Sequence, residues 1–330
     1  MRALGGNAFI AVMKLVAWGV SGSGAMLSEA IHSLADVANQ ALLLFGLRHA
    51  ERGPDNRHQY GYGQAAFFWA LVSALGIFFM GCGVTVYHGI HELMNPPESM
   101  HAGWLTWSVL TGSFVIEGWV LVGAVRQVYQ AKPEHMGILA YLPKIKDPML
   151  AAVLLEDFAA CAGIVFATVG IGLTWLTGDP VWDGLASICI GVLLGVVALV
   201  LVRLNQRYLL GHAIDPEIDE GIRQILLARP SIEAAVLLQS RWVGPSTFVY
   251  RAEVDFDGAW FASELESHYL LLFEATHDHE QMRRLLATYT EHVSRLVARE
   301  VDVIEDLIRA RYPEALFIML EPHDWPHEMA

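Results

Sequence analysis

Long apolar runs are the feature that most constrains the fold of this chain. A run of about 20 apolar residues is long enough to cross a bilayer as a helix. Six such runs can be placed before residue 210, at 4–20, 25–47, 65–91, 103–129, 149–175 and 182–204. The first run is short and contains Lys14. The sequence therefore predicts an α-helical membrane domain with six transmembrane helices, at 1–208.

Basic residues are confined to alternate connections between these runs. The connections at 21–24, 92–102 and 176–181 contain no Lys or Arg. Those on the opposite side contain Arg48, Arg52, Arg57, Lys132, Lys144 and Lys146, with Arg203 and Arg207 at the end of the last run. Cytoplasmic loops carry the excess of basic residues. We expect an integral, multi-pass membrane protein with both termini in the cytoplasm.

The segment 209–330 has the composition of a soluble domain. From residue 212 onward it contains 22 Asp and Glu against 10 Lys and Arg, which accounts for most of the net charge of -14. This acidic balance argues against nucleic acid as a partner. Patterning predicts a helix at 215–228, strands at 232–242 and 247–255, a long helix at 279–311 and a strand at 315–321. The segment 258–280 has no assigned element.

Several ionisable residues interrupt the apolar runs. His32 and Asp36 are four residues apart, which puts them on one face of a helix, and Glu156 and Asp157 lie in the fifth run. Such groups are costly at membrane depth unless they pair, line a wet cavity or bind an ion. Imidazole and carboxylate are ligands that zinc-like divalent cations accept. Glu29 and Glu117 are further acidic residues in the runs, and Lys14 either pairs with Glu117 or extends to the cytoplasmic face.

Four motifs in order resemble the cation diffusion facilitator family of divalent-metal/proton antiporters. They are SGSGAMLSEAIHSLADVANQ, PDNRHQYGYGQAAF, LLEDFAA and GDPVWDGLASICIG. The SEAIHSLAD and LLEDFAA versions are most similar to the zinc-transporter-nine-like branch. The resemblance implies a homodimer, a cytoplasmic ferredoxin-like αββαβ C-terminal domain, and transport by alternating access. The family moves zinc most often, and in some branches manganese, iron, cobalt or cadmium.

The resemblance also implies a transport site with two ligands from the second span and two from the fifth. His32, Asp36 and Asp157 match three of these positions, but the fourth falls on Val153, which cannot ligate a metal. Glu156 is the obvious substitute, although it lies about 100° from Asp157 around the helix; a water is the alternative. Such an oxygen-rich site moves the expectation modestly toward Mn2+, Fe2+ or Co2+.

Other candidate ligands lie outside the spans. Asp55 and His58 match part of a secondary metal site of some family members, but Tyr62 replaces its last histidine, so an ordered loop is the alternative. Glu321 and His323 stand near the position of cytoplasmic ligands in other members, and a solvated acidic surface is the alternative. The acidic segment 277–280 is read either as ligands or as the N-cap of the long helix.

The expected function is export of a divalent metal, zinc first, in exchange for protons, from the cytoplasm across a bacterial inner membrane. The missing donor at Val153 keeps a non-transporting metal sensor or scaffold open as the alternative. No HExxH or GxSxG motif is present, so we do not expect an enzyme.

Overall fold

A computed structural model describes residues 2–96, 103–132, 136–145 and 147–323 of the chain. Lys146, one of the basic residues in the connections, lies outside these ranges. The chain divides into two compact units, Met1–Leu210 and Gly211–Ala330.

Helices are the only regular secondary structure in the described residues of the first unit. Five of its helices are long and apolar enough to cross a membrane, while α1 contributes only a shorter apolar stretch, Gly5–Ser21. Each of the six predicted runs coincides with a helix, apart from Gly103, which caps α5. The helices are α1 (Arg2–Ser21), α2 (Gly24–Ala50), α3 (Ala65–Gly76), a π-helical segment (Ile77–Val84), α4 (Thr85–Met94), α5 (Trp104–Ala131), α6 (Ile138–Tyr141), α7 (Pro148–Thr177) and α8 (Val181–Leu209). Of these, α3, the π-helical segment and α4 form one continuous helix, Ala65–Met94.

Local sequence signals fix the helix ends. Ser23 caps α2, since its hydroxyl accepts a hydrogen bond from the Met26 backbone N–H at 3.1 Å. Asp147 caps α7 in the same way, and the proline that follows it suits the first helical turn. Gly178 ends α7 in the left-handed conformation, at φ 74°.

Small residues let the helices of the first unit approach closely. A Cβ on Gly89 of α4 would lie 2.9 Å from the carbonyl oxygen of Gly184 and 2.8 Å from Ile188 Cγ1, both on α8. A Cβ on Gly170 of α7 would lie 2.9 Å from the carbonyl oxygen of Trp182. Close backbone approach through glycine is a common way for membrane helices to associate, because apolar burial supplies no driving force between helices in lipid.

The second unit packs helices with a three-stranded sheet. Its elements are α9 (Pro216–Leu227), β1 (Ile232–Gly244), β2 (Thr247–Phe256), α10 (Gly258–Ala275), α11 (His279–Arg311) and β3 (Ala315–Pro322). The strand order is β1-β2-β3, with β1 antiparallel and β3 parallel to the central strand β2. This order of elements is the predicted one, with α10 in the segment that the sequence left unassigned.

The core of the second unit is aromatic and aliphatic. Trp242 on β1 pairs with Phe248 on β2, with their ring centroids 5.2 Å apart. Ile304 and Ile308, four residues apart on α11, are both fully buried. This spacing puts them on one helix face, which explains why the long and otherwise polar α11 joins the core.

Candidate functional site

His32 and Asp36 lie one turn apart on α2, as predicted. His32 is 1% exposed, and its Nδ1 is 3.6 Å from Asp36 Oδ1, which is too long for a hydrogen bond. Both ring nitrogens of His32 and Oδ1 of Asp36 are buried with no hydrogen-bond partner among the described residues. A buried polar group without a partner costs about 1–3 kcal/mol. The pair therefore carries unused capacity to bind a proton or a cation.

Asp157 on α7 faces the same cavity as Asp36. The polar lining of this cavity consists of Asn7, Ser33, Asp36, Glu117 and Asp157, which come from α1, α2, α5 and α7. Oδ2 of Asp157 is also buried and has no partner in the described part of the chain. Three carboxylates, from α2, α5 and α7, thus line one water-sized space inside the helical unit.

Glu156 is engaged elsewhere. It is 4% exposed, and the Asn39 side-chain amide donates hydrogen bonds to both of its carboxylate oxygens. The Ser73 hydroxyl of α3 donates in turn to the Asn39 carbonyl oxygen. The 100° between adjacent helical positions turns Glu156 toward this polar pair while Asp157 faces the cavity. Glu156 therefore has a hydrogen-bond donor beside it, whereas Oδ2 of Asp157 has none in the described part of the chain.

Val153 packs into an apolar cluster. Its side chain lies against the group that contains Ile145, Leu154 and Leu204. This explains why the position of the fourth expected ligand holds an aliphatic residue here.

The predicted ligands do not converge on one point. Within the ranges that the structure describes, no three or more His, Cys, Asp or Glu side chains lie close enough together to hold a metal ion. His32 and Asp36 form one pair, Asp157 lies at the shared cavity, and Glu156 lies beside Asn39. Their assignment as the ligand set stays a prediction.

A buried ion triad adjoins the cavity. The Lys14 ammonium of α1 lies 2.9 Å from Glu29 Oε2 and 2.8 Å from Glu117 Oε1. Of the two alternatives for Lys14, pairing is the one observed, and with two carboxylates rather than one. The sequence singled out Glu29 as an acidic residue in an apolar run, but it did not indicate which residue would pair with it.

Asp55 organises the loop between α2 and α3. Its carboxylate accepts hydrogen bonds from the Tyr62 hydroxyl and from the backbone N–H groups of His58 and Arg57, at 2.8, 2.6 and 2.8 Å. These bonds, that from Tyr62 first, lower the pKa of Asp55 below its ordinary value. The contacts are those of an ordered loop, which was the alternative to a secondary metal site with His58.

Glu321 and His323 lie at the end of β3, each with a partner. Arg251 on β2 donates two hydrogen bonds to the Glu321 carboxylate, at 3.0 and 2.6 Å. His323 Nδ1 lies 2.9 Å from Glu253 Oε2. Glu321 thus already has a cation beside it, and metal binding at these two residues stays a prediction. At the start of α11, Asp278 accepts a hydrogen bond from the Gln281 N–H, as an N-cap does.

Asp183 is a buried acidic residue that the sequence reasoning missed. Asp183 on α8 is 0% exposed, and it accepts hydrogen bonds from the Ser23 hydroxyl at 2.8 Å and the Ala25 N–H at 3.2 Å. Its carboxylate therefore joins α8 to the first turn of α2. The signal that could have found it was its place next to a helix start within the motif GDPVWDGLASICIG.

Comparison with known proteins identifies the family. Residues 1–210 match the family model of the cation efflux transmembrane domain. The chain is 34% identical over 329 residues to metal tolerance protein C4 of Arabidopsis thaliana, which covers 96% of this chain and 71% of the plant protein. It is 33% identical over 321 residues to the mitochondrial proton-coupled zinc antiporter SLC30A9 of Homo sapiens, covering 96% of this chain and 56% of the human protein.

A bacterial relative is more distant. The cation-efflux pump FieF of Pectobacterium atrosepticum is 25% identical over 246 residues, which cover 72% of this chain. The chain spans little more than half the length of the human antiporter, and about three quarters of this pump. These matches agree with an integral, multi-pass membrane protein. The chain belongs to the cation efflux, or cation diffusion facilitator, family, and it is similar to the zinc-transporter-nine-like branch of that family.

Proposed function

We propose that this protein exports a divalent metal cation from the cytoplasm in exchange for protons, by alternating access. The observation that carries the proposal is a set of buried potential ligand atoms on His32, Asp36 and Asp157, which have no hydrogen-bond partner among the described residues. The name of the human relative describes a proton-coupled zinc antiporter. Zinc is accordingly the first candidate substrate, with Mn2+, Fe2+ and Co2+ next because the site is rich in carboxylate oxygen.

Proton coupling follows from competition at these donors. Imidazole and carboxylate bind either a proton or a metal, so metal affinity falls where the local pH is lower. A site open to a neutral cytoplasm loads metal, and the same site open to a more acidic compartment exchanges it for protons. The unpartnered His32 ring and the two aspartates are the groups that would make this exchange.

The finer architecture belongs to the same proposal. We assign α1 as a sixth span beside the five longer helices, which returns both termini to the cytoplasmic side. The second unit, with its central strand between an antiparallel and a parallel neighbour, is assigned a ferredoxin-like fold with an added helix. The protein is proposed to work as a homodimer in a bacterial inner membrane.

Transport in proteoliposomes with an imposed pH gradient tests the function. We expect zinc flux from the wild-type protein, and its loss in Asp157→Asn, because this change removes a charged donor but keeps the size of the side chain. Glu156→Gln is the matched control on the neighbouring position. Since Glu156 is held by Asn39 rather than facing the cavity, we expect this variant to retain flux.

The alternative outcome identifies the other function. A wild-type protein that binds metal but moves none under any gradient would be a sensor or scaffold, and the transport proposal would be wrong. Flux that is lost equally in Asp157→Asn and Glu156→Gln would place both carboxylates in the ligand set.

A further inference from the structure

Lys14 is buried between two carboxylates in the interior of the helical unit. Its side chain is 0% exposed, and its ammonium contacts Glu29 of α2 and Glu117 of α5. One positive charge thus faces two negative ones. Buried charges are stable only when they are paired, so one of the two carboxylates in this triad has no cation of its own.

The two carboxylates of the triad have different surroundings. Glu117 lines the cavity that Asp36 and Asp157 also line. Glu29 instead lies against α7, where a Cβ on Gly163 would overlap its Oε1. Only the first of these two carboxylates is therefore placed to reach a cation in the cavity.

Glu117 also has unused binding capacity. The residue is 8% exposed, and its Oε2 is buried without a hydrogen-bond partner among the residues described, while Lys14 occupies Oε1. Three carboxylates from α2, α5 and α7 thus face one cavity. The fourth ligand position that the family resemblance implies is occupied by Val153, which packs against apolar residues.

We propose that Glu117 is a further oxygen ligand of the transported cation, and that Lys14 is a tethered cation that competes with the metal for it. This inference rests on the proposed transport function and adds a ligand from a third helix. When a divalent cation takes Glu117, Glu29 keeps the Lys14 ammonium paired. The second carboxylate of the triad thereby has a physical role, since it prevents an unpaired buried ammonium during metal binding.

A matched pair of double variants tests the assignment. Lys14→Met with Glu29→Gln leaves Glu117 as the free carboxylate, whereas Lys14→Met with Glu117→Gln leaves Glu29. Each double variant removes one positive and one negative charge, so the two variants have the same net charge. In each of them, one buried carboxylate remains without its ammonium. They differ in which carboxylate remains.

Zinc and manganese affinities of the purified full chain in detergent are the readout, measured by competition with a chelator. We expect the variant that keeps Glu117 to bind at least as tightly as the wild type, because its competitor is gone. The variant that keeps Glu29 should bind about 10- to 100-fold more weakly, the range in which loss of a supporting group reduces metal affinity. Equal affinities, or the reverse order, would overturn the assignment.

Single variants cover the case in which the double variants do not fold. Glu117→Gln and Glu29→Gln each leave Lys14 paired with one carboxylate, so neither creates an unpaired buried charge. The first should lose affinity about 10- to 100-fold and the second clearly less. Equal losses would contradict a ligand role for Glu117.

The same assays separate this inference from the proposed function. If the wild type transports zinc and Asp157→Asn does not, but the matched variants bind alike, Glu117 is not a ligand and the transport function stands. If the wild type binds no divalent metal at all, both the function and the added ligand are wrong.

Discussion

At the scale of single residues, the interior of this protein separates polar groups that are satisfied from those that are not. Glu156 and Asp157 are neighbours in sequence, yet the first accepts hydrogen bonds from Asn39 while the second has a buried oxygen without a partner among the described residues. A buried polar group without a partner costs free energy, so its presence in a native structure calls for an explanation such as ligand binding. This difference, rather than residue type, singles out Asp157.

Asn39→Ala should destabilise the helical unit. It removes the donor that holds Glu156 and leaves a buried carboxylate without a partner, so we expect the free energy of unfolding to fall by about 1–3 kcal/mol. Helix loss in detergent, followed by circular dichroism, measures this. Glu156→Gln is the control, because an amide can still bond Asn39; a larger loss in the control than in Asn39→Ala would contradict the hydrogen-bond assignment.

Glu300 gives the second unit a pH-dependent contact. Its carboxylate accepts hydrogen bonds from Arg229 Nε at 2.7 Å and from the Ser231 hydroxyl at 2.6 Å. Burial raises the pKa of Glu300, but these bonds and the charge of Arg229 outweigh burial and hold the pKa below its ordinary value of 4.5. Because the pKa of Glu300 is lower in the folded state, its ionised carboxylate stabilises the fold at pH values above 4.5. This stabilisation is lost as the pH falls through the folded-state pKa.

Glu300→Gln should therefore destabilise the second unit at neutral pH and cease to differ from the wild type in acid. Amide exchange of peptides from β1 and α11, corrected for the intrinsic rate at each pH, follows the difference. At neutral pH we expect a loss of about 1.5–3 kcal/mol, the range of a hydrogen bond to a charged group. A difference that persists unchanged well below pH 4.5 would mean that Glu300 does not act through its charge.

At the scale of helices and strands, close backbone packing through glycine joins α4 to α8 in the helical unit. The contact between α4 and α8 depends on Gly89, whose missing side chain lets the helix lie against the backbone of Gly184 and Ile188. Backbone atoms cannot turn aside as a flexible side chain can. The helices must separate if this position gains a methyl group.

Gly89→Ala should lower the stability of the helical unit by about 1–3 kcal/mol, the usual effect of overpacking. Gly112→Ala on α5 is the matched control, because a Cβ there meets nothing within 4 Å. In that control the higher helix propensity of alanine should make the change neutral or slightly stabilising. Thermal unfolding in detergent compares the two variants, and equal effects would show that the α4–α8 contact is looser than described.

At the scale of the whole molecule, two units divide the chemistry. The first unit holds the atoms of His32, Asp36 and Asp157 that are buried without a partner among the described residues, whereas Glu321 in the second unit is already bonded by Arg251. We therefore expect zinc to stabilise the first unit selectively. A ligand at 100 times its dissociation constant adds about 2.7 kcal/mol to the stability of the state that binds it.

Hydrogen exchange of the full chain with and without zinc tests this division. Peptides of α2 and α7 should exchange more slowly with zinc, while those of β3 should be unchanged. Protection of β3 at the same zinc concentration, lost in Glu321→Gln, would instead establish the cytoplasmic metal site that the resemblance implied.

The sequence by itself determined most of the elements of both units, α10 excepted, and it singled out the ionisable residues that are costly to bury at membrane depth. Hydropathy, charge alternation and turn signals act over short stretches, so helix and strand bounds followed from them to within a few residues. His32 and Asp36 were paired by their spacing alone, because helical periodicity fixes which residues share a face.

Only the tertiary structure decided which buried charges meet. Asn39, Ser73 and Asp183 were missed because their partners lie on other helices, more than 30 residues away along the chain. The rotation of α7 against its neighbours decides whether Glu156 or Asp157 faces the cavity. The packing of α1, α2 and α5 brings Lys14 into contact with both Glu29 and Glu117. Local patterns carry no information about rotation and depth between helices, since these are set by the packing of all of them together.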